Sequence, residues 1–253
     1  RVERLKIRRD VKSSRGVVKA GTVVRGAWLL KQRRRTERFR TTRGVLLHLP
    51  RGSYQPAGND WYISFPPVPA LLMAPGVAVW GYRFNDVWFA VLLAACSPML
   101  LFLLLGRMRG VGLSERGVGD DLWLTLLFAF GTVHYFVSVR GEVWFTAHVV
   151  GVFFLLLYLH ATLEARFPLL AGLALGLATG SRVTLLLAFP IFLWALWRQY
   201  EGQLRRMVVP ALKFGAPLVV IGLLLMWHNA ARFDSPFEFG HRYLDIFWKE
   251  RIQ

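Results

Sequence analysis

DVWFAVLLAACSPMLLFLLLG, residues 86–106, carries a single charged side chain, at its first position. A helix of about twenty apolar residues is long enough to cross the ~30 Å hydrocarbon core of a bilayer. Comparable apolar runs follow it along the chain, and the six segments are 86–105, 121–139, 143–163, 168–180, 183–197 and 207–227. The sequence therefore predicts an all-α polytopic membrane protein with about six transmembrane helices.

Three segments depart from a regular span. Residues 66–81, PPVPALLMAPGVAVWG, are short and rich in proline, which favours an interfacial or re-entrant juxtamembrane helix. Residues 168–180 and 183–197 would each be only about 20–23 Å long as helices. A single merged helix would bury Arg182 in the membrane at roughly 2.5–3.5 kcal/mol, so two short helices that turn at Gly180-Ser181-Arg182 are preferred.

The first part of the chain is strongly basic. Residues 1–53 contain 17 Lys or Arg against 3 Asp or Glu, whereas residues 54–253 contain 15 against 12. A run such as KQRRRTERFR, residues 31–40, could bind nucleic acid or anionic lipid, but a charge run without a recognisable module is usually solvated. We predict no nucleic-acid partner.

The predicted organisation has four parts. They are a basic N-terminal segment of uncertain structure (1–53), an outer-face loop with the juxtamembrane helix (54–81), a helix bundle (82–227) and an outer-face juxtamembrane tail (228–253). The single Cys96 leaves no disulfide framework, and no histidine or carboxylate pair has metal-ligand spacing, so neither a metal site nor a cofactor is predicted.

The distribution of Lys and Arg predicts the orientation. Loops 106–120, 164–167 and 198–213 hold eight Lys or Arg, whereas the opposite short turns hold only Arg140 and Arg182. Positively charged short loops stay in the cytoplasm. Residues 54–65, 140–142, 181–182 and 228–253 then share the outer face, and the basic residues 1–53 lie there too, against the charge rule.

Ionisable groups that meet at a membrane boundary indicate a functional site. Simpler interpretations stay open: Arg182 could extend to the headgroups, Arg140 and Glu142 could form a turn pair, and His148 could be a packing histidine. The candidate residues on the outer face are Asp60, Trp61, Tyr62, Arg140, Glu142, His148, Arg182, Arg232, Glu238, His241, Arg242 and Tyr243.

Four stretches resemble a known family when they are taken in order. They are NDWYISFPPVPALLMAP (59–75), GEVWFTAHVVGVFFLLL (141–157), AGLALGLATGSRVTLLLAFP (171–190) and HNAARFDSPFEFGHRY (228–243). Across residues 57–247 the chain resembles the bacterial polytopic glycosyltransferases of the GT-C fold, the group similar to protein O-mannosyltransferases and the aminoarabinose transferase of lipid A. The resemblance implies transfer of a sugar from a polyprenyl-phosphate donor to a lipid, protein or glycan acceptor outside the bacterial cytoplasmic membrane.

The resemblance also implies roles for the candidate residues. Arginine suits the donor phosphate because its guanidinium group donates parallel hydrogen bonds. Arg182 is the first choice for this role, with Arg140, Arg232 and Arg242 as the other cations. Asp60 is the candidate catalytic carboxylate, and the sugar or acceptor contacts are Glu142, His148, Glu238, His241, Tyr243, Trp61 and Tyr62.

One departure from the family qualifies the expected activity. The family's first transmembrane helix and its acidic catalytic loop have no counterpart in residues 1–53. The chain begins with Arg1, so an incomplete or inactive enzyme is one expectation. The alternative is a non-enzymatic membrane protein such as half of a transporter or an assembly subunit, although transporters place ionisable groups nearer the midplane.

Overall fold

The computed structural model describes residues 2–30, 36–41, 45–50, 54–60 and 65–239. The chain divides into two compact units. The sheet unit contains the residues up to Phe65 together with those from Leu224 onward, and the helical unit comprises Pro66–Leu223. The molecule is mostly helical, at 68%.

The sheet unit corrects the expectation of an all-α fold, because the described residues between Val2 and Asp60 form an antiparallel sheet of seven strands in the order β3-β2-β6-β5-β4-β1-β7. The strands are β1 Val2–Ile7, β2 Val11–Ser13, β3 Gly16–Val18, β4 Val23–Leu30, β5 Thr36–Thr41, β6 Leu46–Pro50 and β7 Tyr54–Asp60.

Alternation of apolar and basic side chains explains the sheet. Leu5 and Ile7 of β1 are 1% exposed, whereas the neighbouring Arg4 and Lys6 are exposed. Phe39 of β5 is opposite Leu47 of β6, and both are fully buried. A period of two places alternate residues on one face of a strand. The high density of positive charge conceals this period when residues 1–53 are assessed by composition alone.

The helical unit follows the predicted hydrophobic segments closely. Short 3₁₀ segments at Gly81–Arg83, Leu163–Ala165 and Val183–Ala188 connect or extend the helices. The α-helices are α1 Val68–Trp80, α2 Asp86–Gly110, α3 Val118–Phe130, α4 Val133–Ser138, α5 Val143–Thr162, α6 Pro168–Thr179, α7 Phe189–Gln199 and α8 Leu204–Phe233.

Three of the described helical segments are long and apolar enough to cross a membrane. They are Asp86–Gly110, Val143–Ala165 and Leu204–Phe233, with mean hydropathies of 2.4, 1.8 and 2.2. The segments 121–139, 168–180 and 183–197 contain shorter helices, so six crossings stay a prediction. The proline-rich segment 66–81 does contain a helix, α1, with Pro75 inside it.

The merged helix across Arg182 is wrong. Helix α6 ends at Thr179, and Arg182 has extended backbone angles of φ −147° and ψ 110° before the next helical turn begins at Val183. The chain therefore turns at Gly180-Ser181-Arg182, which keeps Arg182 between two short apolar segments and outside the interior of either one.

Aromatic packing and a close helix contact hold the centre of the helical unit. Phe192 stacks on Phe214, with ring centroids 4.1 Å apart. The Tyr158 hydroxyl donates to the Ala188 carbonyl oxygen at 2.8 Å and accepts from the Phe192 N–H at 3.0 Å. At Gly172 of α6, an added Cβ would overlap the Phe214 carbonyl oxygen of α8, so glycine permits this close approach.

A buried ion cluster holds the α2–α3 loop. The Asp121 side chain is 1% exposed; its Oδ2 pairs with Arg109 Nη1, and its Oδ1 lies 3.7 Å from Arg116 Nε. A buried carboxylate needs such partners because desolvation alone disfavours its charge. Two of the arginines that set the predicted orientation therefore also have a structural role in this loop.

Candidate functional site

Arg182 lies beside the first two turns of α5. Its Nη2 group contacts Nε2 of His148 and donates to the Trp144 carbonyl oxygen at 3.5 Å. The guanidinium carbon also lies 5.9 Å from the centroid of the Trp144 ring. The structure therefore brings together the turn at 180–182 and the start of α5, two of the places that were predicted to share the outer face.

Two glycines hold the 180–182 turn in position. An added Cβ at Gly151 of α5 would lie 2.8 Å from Cδ1 of Leu185 and 3.8 Å from Cγ of Arg182. At Gly180 a Cβ would lie 2.5 Å from Cγ2 of Val68, and the Val68 N–H donates to the Gly180 carbonyl oxygen at 3.3 Å. Small residues thus let α5 and the first turn of α1 approach the backbone that carries Arg182.

The surroundings of Arg182 favour an anionic ligand. Burial lowers the pKa of the guanidinium group from its ordinary value, although an arginine stays protonated at neutral pH. A guanidinium group has no acceptor, so Arg182 donates to His148, whose Nε2 must then be the unprotonated nitrogen. Among the described residues, no carboxylate forms an ion pair with Arg182.

The turn before α5 contains the second predicted cation. Arg140 Nη1 donates to Glu142 Oε1 at 3.0 Å, and its guanidinium carbon lies 4.4 Å from the Phe136 ring centroid. Both charged side chains are about half exposed, at 45% and 58%. Arg140 and Glu142 therefore form the turn pair that was the simpler interpretation, while a role in binding stays a prediction.

The sheet unit holds two further candidates. Arg232 Nη2 donates to Asn229 Oδ1 at 3.3 Å, and the buried Asn229 donates in turn to the Pro236 carbonyl oxygen at 3.3 Å. Arg25 of β4 donates to the Arg232 carbonyl oxygen at 3.2 Å and pairs with Asp234 at 3.4 Å. These bonds order the segment that leads to Glu238, whose N–H donates to Ser235 at 3.4 Å.

The other candidates are only partly covered by the structure. The backbone of Asp60 ends β7, and its side chain is not described. Trp61, Tyr62, His241, Arg242 and Tyr243 lie outside the described residues. Within the described part of the chain, no group of three or more His, Cys, Asp or Glu is arranged to hold a metal ion.

Sequence reasoning missed the residues that support Arg182. Trp144 was not among the candidate residues, yet its backbone carbonyl oxygen accepts a hydrogen bond from Arg182. Gly151 was not selected, although it lies three residues after His148 within the α5 segment. A small residue on the same face as a polar one, three positions apart, is a sequence signal for close approach at that face.

No protein-family model, curated protein or solved structure matches the chain. A functional assignment therefore rests on the contacts around Arg182 and stays a proposal.

Proposed function

We propose that this chain is a membrane glycosyltransferase of the bacterial cytoplasmic membrane, with its reactive face outward. It would take a sugar from a polyprenyl-phosphate donor and pass it to a lipid, protein or glycan acceptor. The single observation that carries the proposal is Arg182, a half-buried cation at the break between two apolar helices that contacts His148 but no described carboxylate.

The proposed chemistry uses the charge of Arg182. During transfer, the acceptor oxygen bonds to the anomeric carbon as the carbon–oxygen bond to the lipid phosphate breaks. Negative charge then grows on the departing phosphate, and a fixed guanidinium group lowers the barrier by stabilising that charge. The acceptor proton must pass to a base, for which a carboxylate is suited.

An ion pair in the sheet unit supports an even number of membrane crossings. Arg25 pairs with Asp234 at 3.4 Å inside the sheet unit, so both residues must lie on one side of the membrane. The chain between them then crosses an even number of times. Three crossings, by the three long helices alone, would separate them, whereas the six proposed crossings would not.

Cysteine labelling tests this topology. In a variant with Cys96→Ala, single cysteines at Lys19 and Ser235 are expected to react with a membrane-impermeant maleimide from the outer side of oriented vesicles. Cysteines at Glu115, just after α2, and at Gln203, just before α8, should react only from the cytoplasmic side. Labelling of Lys19 and Ser235 from opposite sides would contradict the even number of crossings.

A donor assay tests the proposed activity. The purified full chain, reconstituted in liposomes, is supplied with a panel of sugars linked to polyprenyl phosphate and with a membrane lipid extract as acceptor. We expect loss of the donor with release of free polyprenyl phosphate, because the phosphate is the leaving group. Thin-layer chromatography of a radiolabelled donor would measure this release.

Matched lipids separate binding from transfer in the same preparation. Polyprenyl phosphate is expected to be retained by the protein more than polyprenol, which has the same chain without the charge. Equal retention of the two lipids would contradict the phosphate role of Arg182. Retention of the phosphate without any transfer from the whole panel would favour the non-enzymatic alternative.

A further inference from the structure

A cavity of about 370 Å³ lies inside the helical unit, between the ends of three helical elements. Its size is within the range of pockets that hold small ligands. The walls are largely apolar side chains from α2, α5 and α7, including Leu104, Met108, Leu159, Ile191 and Trp194.

The cavity is separate from the Arg182 site. It contacts Leu159 and Thr162 at the end of α5, whereas His148 is in the second turn of that helix. Fourteen residues of α-helix separate His148 from Thr162, which corresponds to about 21 Å. The two sites therefore lie toward opposite ends of α5.

The rim of the cavity carries one group of each charge. Glu164 and Arg198 both line it and are exposed. Within the part of the chain that the structure describes, neither side chain forms an ion pair; Arg198 lies 5.2 Å from the centroid of the Trp194 ring. A polar rim with two opposite charges above an apolar interior matches an amphiphile that has both charges in its headgroup.

The backbone at this rim is strained. Glu164 and Ala165 have positive φ values of 58° and 50°. Non-glycine residues adopt this conformation at a cost of about 1–3 kcal/mol each, and such residues concentrate at ligand sites. The strained turn directs the chain around the cavity where the helix from Val143 ends.

The position along the helices agrees with a lipid headgroup. The cavity lies at the C-terminal ends of two segments long enough to cross a membrane, Asp86–Gly110 and Val143–Ala165. The ends of such helices lie at the boundary between hydrocarbon and headgroups. Thr162, which is buried in the wall, has a hydroxyl suited to a lipid ester group.

We propose that this cavity binds one phospholipid with a primary ammonium headgroup, of the phosphatidylethanolamine type. The cavity takes the headgroup and the first part of one acyl chain, which lies along the apolar wall; Arg198 donates to the phosphate, and Glu164 accepts hydrogen bonds from the ammonium group. This inference does not depend on the proposed glycosyltransferase activity, because none of its residues contacts Arg182.

Lipid retention measured by native mass spectrometry tests the proposal. The detergent-purified full chain is mixed with equal amounts of phosphatidylethanolamine, phosphatidylglycerol and phosphatidylcholine that carry identical acyl chains. We expect retention of phosphatidylethanolamine to exceed that of each of the others about fivefold, because only its headgroup donates N–H bonds to a carboxylate beside the phosphate contact.

Four variants give the test its specificity. Glu164→Gln should abolish the preference for phosphatidylethanolamine, and Arg198→Gln should weaken retention of all three lipids. Glu115→Gln and Arg205→Gln, which change exposed residues outside the cavity, should behave as the wild type. Equal retention of the three lipids by the wild type, a preference for phosphatidylglycerol, or an unchanged preference in Glu164→Gln would each overturn the proposal.

Discussion

Replacing Arg182 with alanine is expected to lower the rate of sugar transfer from a polyprenyl-phosphate donor about 100- to 1,000-fold, the usual cost of removing one fixed donor at a site of developing charge. Its Nη2 group anchors to His148 and to the Trp144 carbonyl oxygen. The Nη1 group makes no hydrogen bond with the described residues, so it has donors to offer to a phosphate.

The rate constant in reconstituted liposomes is the measurement for Arg182→Ala. Arg182→Lys keeps the charge but loses the planar fork, so its rate should lie between those of alanine and the wild type. Arg166→Ala removes an exposed arginine that lies over the Phe167 ring and should leave the rate unchanged. Wild-type transfer by Arg182→Ala would remove this residue from the mechanism.

A single methyl group at Gly172 is expected to destabilise the helical unit strongly. An added Cβ there would overlap the Phe214 carbonyl oxygen and lie 2.8 Å from Cγ of Pro217, so α6 and α8 would have to move apart. Overpacking against a rigid backbone costs about 3 kcal/mol. We expect Gly172→Ala to lower the apparent unfolding midpoint by about 6–12 °C in detergent micelles.

Two glycines of α8 provide the same chemical change without the clash. An added Cβ at Gly215 or Gly222 would meet nothing within 4 Å. Gly215→Ala and Gly222→Ala should therefore leave the midpoint unchanged or raise it slightly, since alanine favours helix by up to about 1 kcal/mol. Tryptophan fluorescence during heating measures all three variants, and equal midpoints would contradict the close α6–α8 contact.

The positions of the long apolar helices were predictable because a run of about twenty apolar residues by itself indicates such a helix. The turn at Gly180-Ser181-Arg182 was also predictable, since a charge in the middle of a merged helix is costly. The sheet was missed for a different reason. In residues 2–7 the apolar Leu5 and Ile7 alternate with the charged Arg4 and Lys6, so the average hydropathy is that of a polar segment although Leu5 and Ile7 are buried.

The candidate site was predictable only as a set of polar positions. Arg182 entered the set because it is a charged residue at a predicted membrane boundary. Its contact partner His148 is also a member of the set. The sequence offered Arg140 and Glu142 both as a turn pair and as ligand contacts, and the structure shows the pair, with a bond of 3.0 Å. Gly151 carried a local signal in its spacing from His148, whereas the contribution of Val68 depends on the tertiary approach of a separate helix, which no local pattern encodes.

The ion pair between Arg25 and Asp234 has a consequence for folding during synthesis of the protein. The two residues are 209 positions apart, and ribosomes add about 5–20 residues per second. Roughly ten to forty seconds of synthesis therefore pass between the addition of Arg25 and the addition of its partner Asp234. Until then the strands have only their own contacts, because the segment that contains Asp234 is synthesised after all the described helices.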